Sequence, residues 1–351
     1  MNEVIRNLLI LILALAAYST QAIEVKGLYQ YRQPVEDKTR DSRSTASQNA
    51  LLNVIVKVTG DKNAASNNVV RAAMNDISNY MTKYEYADSQ GQSYLVVQFD
   101  NAKVNALVRE AGLPLWGNRR PLVVIWMAIE DGWQRELLTP DSHPQVQALL
   151  ADRATRRGLP VVTPLLDLED HQRVSVTDVW GNFSESLDAA SQRYMAERVV
   201  SARLYTDQNS DAWTLEWRFT NEDQFEAIKH KGDQQQVILD MVDSLASELA
   251  NEYAIDASSG YDTQQQTLKL YNTRSFVDIE YALRRLRSLS VVTEASVSHI
   301  TKGRVDITIS HTGGVEDLKK ALTLDSYFVD YRDPQKFYYS DSNDDLEYAW
   351  Q

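Results

Sequence analysis

The sequence predicts a protein of mixed α and β structure, with α+β and α/β character, divided into three small domains. Three observations predict this class. Leu122 to Ile129 is an unbroken apolar run, too rich in β-branched residues for a helix and typical of a central strand buried on both faces. Helical and strand patterns alternate on both sides of that run. A polar stretch over residues 257–267 is typical of a linker and separates a last compact segment.

The composition is that of a globular protein and limits its function. The chain has 351 residues, of which 43% are hydrophobic and 24% charged. Its formal net charge of −13 repels nucleic acid and anionic lipid headgroups at long range, so we expect neither as the main partner. It contains no cysteine, which excludes a disulfide, a thiol nucleophile, a Cys-type zinc site and a lipid-modified amino-terminal cysteine.

Residues 1–22 have the pattern of a secretory signal peptide. Arg6 gives a positive start, Leu8 to Ala17 is apolar, and Thr20 to Ala22 has small residues at the positions that a signal peptidase reads. A membrane span needs about twenty apolar residues, so this run is too short to be an anchor. We expect cleavage after Ala22, no integral membrane segment in the mature chain, and an extracytoplasmic location. An uncleaved anchor is the alternative.

The first predicted domain spans residues 23–111 and has the element order βααββα. Its expected elements are a strand from Ile23 that ends at Pro34, helices at 39–57 and 69–77, a hairpin of 81–88 and 94–99, and a helix at 103–111. The helices have apolar residues at spacings of three and four. Gly112-Leu113-Pro114 ends the last helix, because glycine adopts the left-handed conformation easily and proline cannot continue a helix.

The central predicted domain spans residues 112–256 and is a mixed β-sheet with helices. Its expected strands are 122–129, 160–165, 198–205 and 213–219, and its expected helices are 144–157, 184–195 and 233–253. The strand that starts at Trp213 alternates aromatic and polar residues, which is typical of a half-buried strand. Asp167 to Asp178 is expected to be irregular.

The third predicted domain spans residues 268–332 and is a βαββα sandwich. Its expected elements are a strand at 268–271, a helix at 275–289, a hairpin of 291–301 and 304–310, and a helix at 315–322, with 327–331 as one more strand that the sheet could accept. Residues 333–351 form an acidic, aromatic tail, which we expect to be partly disordered.

No sequence pattern predicts an enzyme, a metal site or a bound cofactor. The five histidines never stand at metal-ligand spacing, and the nucleophile elbow, phosphate loop and dinucleotide motifs are absent. Asp167, Glu169 and Asp170 form the best carboxylate cluster, just after a strand end, where α/β sheets place ligands. Acid–base catalysis or Ca²⁺ binding is one hypothesis for this cluster. The alternative is a solvated loop whose acids cap the next helix.

Two Trp-Gly pairs provide the candidate binding residues. Trp116 and Trp180 each stand at a turn between elements, and Arg119 follows the first pair closely. An indole beside a guanidinium is a group on which a ligand ring or sugar face can stack. The alternative is that both rings close the edges of the sheet, while the glycines only allow the chain to turn.

Four motifs carry a resemblance to a known family. They are Gly112 to Gly117, Leu165 to Asp170, Asp178 to Phe183, and Ala190 to Tyr194. With them the sequence resembles an uncharacterised family of Gram-negative envelope proteins, catalogued as domain of unknown function 2066, over nearly all of the mature chain. The central domain also resembles the amino-terminal domain of the Tol-system protein TolB. That second resemblance implies an extracytoplasmic interaction module, by analogy of fold alone.

These observations predict a non-enzymatic periplasmic protein that acts as a protein–protein interaction or assembly module of the cell envelope. Its expected partners are other envelope proteins. The first alternative is a small-molecule or glycan binding protein that uses Trp116, Arg119 and Trp180. The second alternative is a hydrolase that uses the carboxylate cluster.

Overall fold

The computed structural model describes residues 23–89, 91–139, 141–206, 212–220, 227–255, 263–331 and 346–351. Within these residues, helices pack on four sheets of two, three, five and six strands. The mixed α and β class expected from the sequence is therefore confirmed. Each of the three larger sheets has a hydrophobic core of its own, and we call the sheets with their helices the first, central and third units.

The first unit packs four α-helices against a three-stranded antiparallel sheet. A two-stranded sheet, β1 (Ile23–Glu24) with β5 (Arg119–Arg120), lies where this unit meets the next. The other strands are β2 (Gln30–Val35), β3 (Met81–Ser89) and β4 (Gln92–Phe99), in the order β2-β4-β3. The helices are α1 (Arg40–Thr59), α2 (Asn68–Ala73), α3 (Ile77–Tyr80) and α4 (Asn101–Glu110).

The central unit contains a six-stranded mixed sheet. Its strands are β6 (Val123–Asp131), β7 (Gln134–Leu137), β8 (Val161–Val162), β9 (Arg198–Thr206), β10 (Trp213–Phe219) and β11 (Ile228–Gly232). They follow the order β11-β10-β9-β6-β7, with β8 beside the start of β6. β6 runs parallel to β8 and β9 and is buried on both faces, as its apolar run predicted.

The two faces of this sheet carry different helices. α5 (Pro144–Arg157) and α9 (Gln234–Tyr253) cover one face, where alternate residues of β6 are buried in the larger core. α6 (Leu168–Arg173), α7 (Val176–Gly181) and α8 (Ser184–Ser191) cover the other face, and we call these three the short-helix layer. Successive side chains of a strand point to opposite faces, so one strand contributes to both cores.

The third unit is a five-stranded sheet with two helices. Its strands are β12 (Gln264–Tyr271), β13 (Val292–Thr301), β14 (Arg304–His311), β15 (Phe328–Asp330) and β16 (Leu346–Trp350), and its helices are α10 (Phe276–Ser288) and α11 (Val315–Thr323). The strand order is β13-β14-β12-β16-β15. β16 runs parallel to β12 and antiparallel to β15, so it lies inside the sheet with its first residue buried in the core.

Several expected boundaries were wrong. β2 continues through Pro34 to Val35, because a strand at the edge of a sheet tolerates the missing N–H of proline. The stretch expected to be irregular contains α6 and α7, which begin where Asp167 and Ser175 cap them. The strand expected at 160–165 is only β8, whereas β7 and β11 were missed because they are short and polar.

The linker and the tail also differ from expectation. β12 begins at Gln264, inside the stretch that the three glutamines marked as linker, because strand pairing with β14 outweighs the polar composition. The end of the expected disordered tail is β16. Residues 257–262 of the linker and 333–345 of the tail lie outside the described residues, as does the expected signal peptide at 1–22. No helix in the described part of the chain is long and apolar enough to cross a membrane.

Arg120 joins the first unit to the central unit. Its side chain is fully buried and lies 3.8 Å from the ring centre of Trp116. Its guanidinium donates hydrogen bonds, 2.6–3.2 Å long, to the main-chain carbonyls of Lys57, Trp116, Gly117, Arg157 and Gly158. Burial and then the nearby Arg157 lower the pKa of Arg120 to about 9, so the group stays charged at neutral pH. One guanidinium thereby provides hydrogen-bond donors for the main-chain carbonyls at the ends of α1 and α5 and in the turn before β5.

Gly60 brings the end of α1 against α9. Its φ of +73° is in the left-handed region, and a Cβ added there would lie 2.0 Å from the Cβ of Ala250. Its carbonyl accepts hydrogen bonds from Arg157 at 2.7 Å and from Ser247 at 3.3 Å. Only glycine fits this close approach between the two units.

Candidate functional site

The three residues expected to bind a ligand do not share one site. Trp116 is 1% exposed and belongs to the core on the α5 and α9 face of the central sheet. Trp180 packs on the opposite face, at the end of α7. Arg119 faces the third unit, where it forms an ion pair with Asp325 and donates a 3.2 Å hydrogen bond to Ser288. The stacking site on an indole and a guanidinium is therefore not assembled from these side chains.

Trp180 has an environment of its own. Its half-buried ring lies 4.0 Å from the guanidinium of Arg135 and 5.9 Å from that of Arg203, and its centre is 5.8 Å from the ring of Tyr205. The cavity beside it measures only about 90 Å³. Typical ligand sites have volumes of roughly 300–1,000 Å³, so this cavity is too small to hold a ligand of ordinary size.

Glu216 is the buried acid of that environment. Its carboxylate accepts hydrogen bonds from Tyr205 at 2.7 Å and from Arg203, and it lies 2.7 Å from the ammonium of Lys229. Burial alone would raise the pKa of Glu216, but the bonds from Lys229, Tyr205 and Arg203 outweigh it and lower the pKa to about 2. The fold therefore stabilises the charged form of this carboxylate.

We expect Glu216→Gln to change the acid stability of the protein. The pKa of Glu216 is lower in the folded than in the unfolded protein, so ionised Glu216 stabilises the fold at pH values above the unfolded pKa. This contribution is lost as the pH falls from about 5 towards 2. The unfolding free energy should thereby decrease by on the order of 2 kcal/mol. The difference in unfolding free energy between the wild type and Glu216→Gln should shrink over that range in urea titrations. The exposed Glu316→Gln is the control, and an equal Glu216→Gln effect at pH 7 and pH 3 would contradict the prediction.

Asp167, the first acid of the carboxylate cluster, caps α6. Its side chain accepts hydrogen bonds from the main-chain N–H of Glu169 at 3.1 Å and of Asp170 at 3.2 Å. Arg193 donates to both of its oxygens, at 2.7 and 2.8 Å, and holds the pKa of Asp167 well below its usual range. This is the capping role that the simpler alternative assigned to the cluster.

Asp170, the last acid of the cluster, is fully buried. It accepts hydrogen bonds from the main-chain N–H of Leu166 at 2.9 Å, from Arg193 at 3.1 Å and from the hydroxyl of Tyr194. Burial, and then the bond to Asp170, raise the pKa of Tyr194 to about 12. The carboxylates thus converge on Arg193 and fix the short-helix layer to the loop after α8. No group of three or more acidic or histidine side chains in the described residues is arranged to hold a metal ion.

Four large apolar side chains of the short-helix layer and its loops are exposed to solvent. They are Leu165, Leu168, Phe183 and Met195, and their exposed fractions lie between 51% and 74%. We call these four side chains the apolar surface. Sequence reasoning missed it because a leucine in a helical pattern is normally assigned to the core.

The main chain beside the apolar surface is strained. Four residues other than glycine have positive φ in the described part of the chain, and three of them, Leu166, Asn182 and Met195, lie in this layer. Leucine and methionine adopt this conformation at a cost of roughly 1–2 kcal/mol each. At Leu166 the unusual turn buries its own side chain and leaves Leu165 outside. Strain of this kind concentrates at functional sites more often than elsewhere.

A cleft of about 580 Å³ lies between the first unit and the central unit. It is bounded by the chain from β1 to β2, by β4 and by the end of α5, and we call it the interdomain cleft. Its charged lining residues are Lys26, Arg32, Lys57 and Arg156, with the acids Glu24 and Asp152. Sequence reasoning missed this site because its residues come from segments that are far apart in the chain.

Lys57 is the most buried cation of the cleft, with 6% of its surface exposed. Its ammonium donates hydrogen bonds to the carbonyls of Gln30 at 2.9 Å and Gly27 at 3.4 Å. Burial, and then Arg120, lower the pKa of Lys57 to about 8. Its partners in the described part of the chain are neutral main-chain groups, and no carboxylate there forms an ion pair with it.

Comparison with known families corrects the resemblance proposed from the motifs. Residues 22–117 match the model of a family described as a domain of unknown function (DUF8605). The resemblance to domain of unknown function 2066 was therefore wrong, since the match is to a different family and covers the first unit. Nothing supports the resemblance of the central domain to TolB. The quoted motifs contain turns and helix caps, such as Gly112 and Asp167, which many unrelated chains share. No curated protein matches the chain.

Proposed function

We propose that this chain is a non-enzymatic interaction or assembly module of the cell envelope, which binds another envelope protein through the apolar surface. The observation that carries this proposal is the exposure of Leu165, Leu168, Phe183 and Met195 on one layer, beside strained main chain. Large apolar side chains that stay exposed on one layer of a fold are typical of protein contacts. Asp167 and Asp170 of the same layer are engaged in a helix cap and in ion pairs with Arg193, which fix its shape.

The charge of the layer indicates the chemistry of the partner. Residues 165–195 contain six acidic and two basic residues, a net charge of −4 with histidine neutral. Complementary charge increases the association rate and excludes wrong partners. We therefore propose a partner protein whose surface has apolar side chains surrounded by basic ones.

The proposed compartment is the periplasm, reached by cleavage after Ala22. The pattern of residues 1–22 supports it, and the absence of cysteine is compatible with it, since a chain without thiols forms no incorrect disulfides in an oxidising compartment. In this compartment the partner would be another exported protein.

The test is photo-crosslinking in intact cells, with the crosslinking residue placed at Leu168. We expect a crosslink to one protein, recovered from the periplasmic fraction with a chain that begins at Ile23. The same residue at Ile300, an exposed apolar position on β13 of the third unit, is the matched control and should give no such product.

A substitution then tests whether the contact contributes to binding. Leu165→Asp should weaken the isolated complex by at least about 10-fold, because an apolar contact is lost and a charge like that of its surroundings is added. Equal crosslinking from positions 168 and 300, a chain confined to the cytosol, or an unchanged affinity of Leu165→Asp would each count against the proposed function.

A further inference from the structure

The interdomain cleft has the opposite charge from the protein as a whole. Its lining contains four basic and two acidic side chains, a net charge of +2, in a chain whose net charge is −13. One of the acids, Asp152, is already bonded to Arg156 at 2.7 Å. A concave site with a net positive charge concentrates field lines, so the cleft attracts anions although the whole protein repels them.

Two of these cations lie around Tyr31 of β2. The ammonium of Lys57 is 5.5 Å from the ring centre, and Arg156 donates a 3.4 Å hydrogen bond to the hydroxyl. Further along the cleft, the guanidinium of Arg32 lies 3.8 Å from the ring centre of Tyr94. Rings and main-chain carbonyls orient Lys57 and Arg32 without neutralising their charge. A buried cation without a carboxylate partner is unfavourable, and an anionic ligand would offset that cost.

Apart from Gln30, Thr155 and two glycines, the remaining wall of the cleft is apolar. Val25, Val96, Leu159 and Pro160 line it together with the two tyrosine rings. The volume of about 580 Å³ is within the range of roughly 300–1,000 Å³ that small-molecule sites have. A small inorganic anion would fill only part of this space and would leave the apolar wall in contact with water. The lining therefore favours a ligand with both an acidic group and an apolar body.

We infer that the interdomain cleft binds an anionic amphiphile, a molecule with one carboxylate or phosphate group on an apolar chain. The acidic group contacts Lys57 and Arg156, and the apolar chain lies along Val25, Leu159 and Pro160. This site is formed by other elements than the apolar surface on the short-helix layer. The two proposals therefore stand or fall separately.

Calorimetric titration of the mature full-length chain tests the ligand class with four probes. Decanoate and decyl phosphate carry the two kinds of acidic group on the same chain, decyl maltoside carries the chain without charge, and inorganic phosphate carries the charge without the chain. We expect the better of the two anionic amphiphiles to bind at least about 10-fold more tightly than either control probe. Which of the two binds better identifies the acidic group.

Substitutions test the place of binding. Arg156→Gln and Lys57→Met should each weaken the better amphiphile by about 10-fold or more, since each removes a charged contact. Arg284→Gln, which changes an exposed arginine of α10, should leave the affinity unchanged. If circular dichroism shows that Lys57→Met does not fold, the affinity of Arg156→Gln, whose arginine is partly exposed, is the deciding measurement. Binding as tight for decyl maltoside or inorganic phosphate, no binding of either amphiphile, or an unchanged affinity of Arg156→Gln would overturn the inference.

Discussion

Replacing Arg120 with methionine will lower the free energy of unfolding by roughly 3–5 kcal/mol. Methionine is about as long and fills similar space, but it cannot donate to the five carbonyls that Arg120 satisfies. Those carbonyls belong to both the first and the central unit. Without Arg120 the two units should therefore unfold in separate transitions. Urea titration followed by tryptophan fluorescence and by far-ultraviolet circular dichroism would show both effects.

A charge-retaining variant and an exposed arginine make this test specific. Arg120→Lys keeps a cation but has only three donors on one atom. It should therefore lose less unfolding free energy than Arg120→Met does. Arg284→Met removes a guanidinium that is exposed and paired with Glu280, and it should alter the unfolding free energy by no more than about 0.5 kcal/mol. An Arg120→Met variant as stable as Arg284→Met would show that the five hydrogen bonds contribute little to the stability of the fold.

Gly60→Ala will cost roughly 3–5 kcal/mol of unfolding free energy, the sum of main-chain strain and overpacking. The φ of +73° is unfavourable for alanine, and the added Cβ would overlap the Cβ of Ala250 on α9 at 2.0 Å. The strain adds to the overlap, because Gly60 is also fixed by the hydrogen bonds to its carbonyl from Arg157 and Ser247.

Two further variants separate the strain from the overlap. Gly91→Ala has a similar φ of +78° with no atom within 4 Å of the added Cβ, so it should cost only about 1 kcal/mol. Combining Gly60→Ala with Ala250→Gly removes the overlapping methyl group and should recover part of the lost stability. Equal losses of unfolding free energy for Gly60→Ala and Gly91→Ala would contradict the prediction, because they would mean that α1 and α9 can move apart without loss of stability.

Local signals were enough to place the long elements. The apolar run of β6, the periodicity of α9 and the caps of α1 are properties of neighbouring residues, and a single sequence displays them. β7 and β11 were missed because their few residues are polar and become strands only by pairing with β6 and β10. Their stability comes from partners far along the chain, which no local pattern reports.

The candidate sites were harder to predict for the same reason. Trp116 and Trp180 are both beside glycine and looked equivalent in the sequence, yet they pack on opposite faces of one sheet. Lys57 stands near the end of a helix, where a basic residue is usually solvated, and no local pattern distinguishes it from such a residue. Its burial depends on β2 and on the end of α5, and only the tertiary structure brings these together.

The position of β16 has a consequence for how the third unit is made. In the described residues, β15 joins its sheet only through β16, which is synthesised later and inserts between β15 and β12. On an emerging chain, residues 328–330 lack this partner strand until residues 346–350 have left the ribosome. Among the strands that the structure describes, the first and central units take none from this region, so they can finish folding while the third remains open. Until then the edge of β12 stays unpaired, and an unpaired strand edge is a site where a partly folded chain can aggregate.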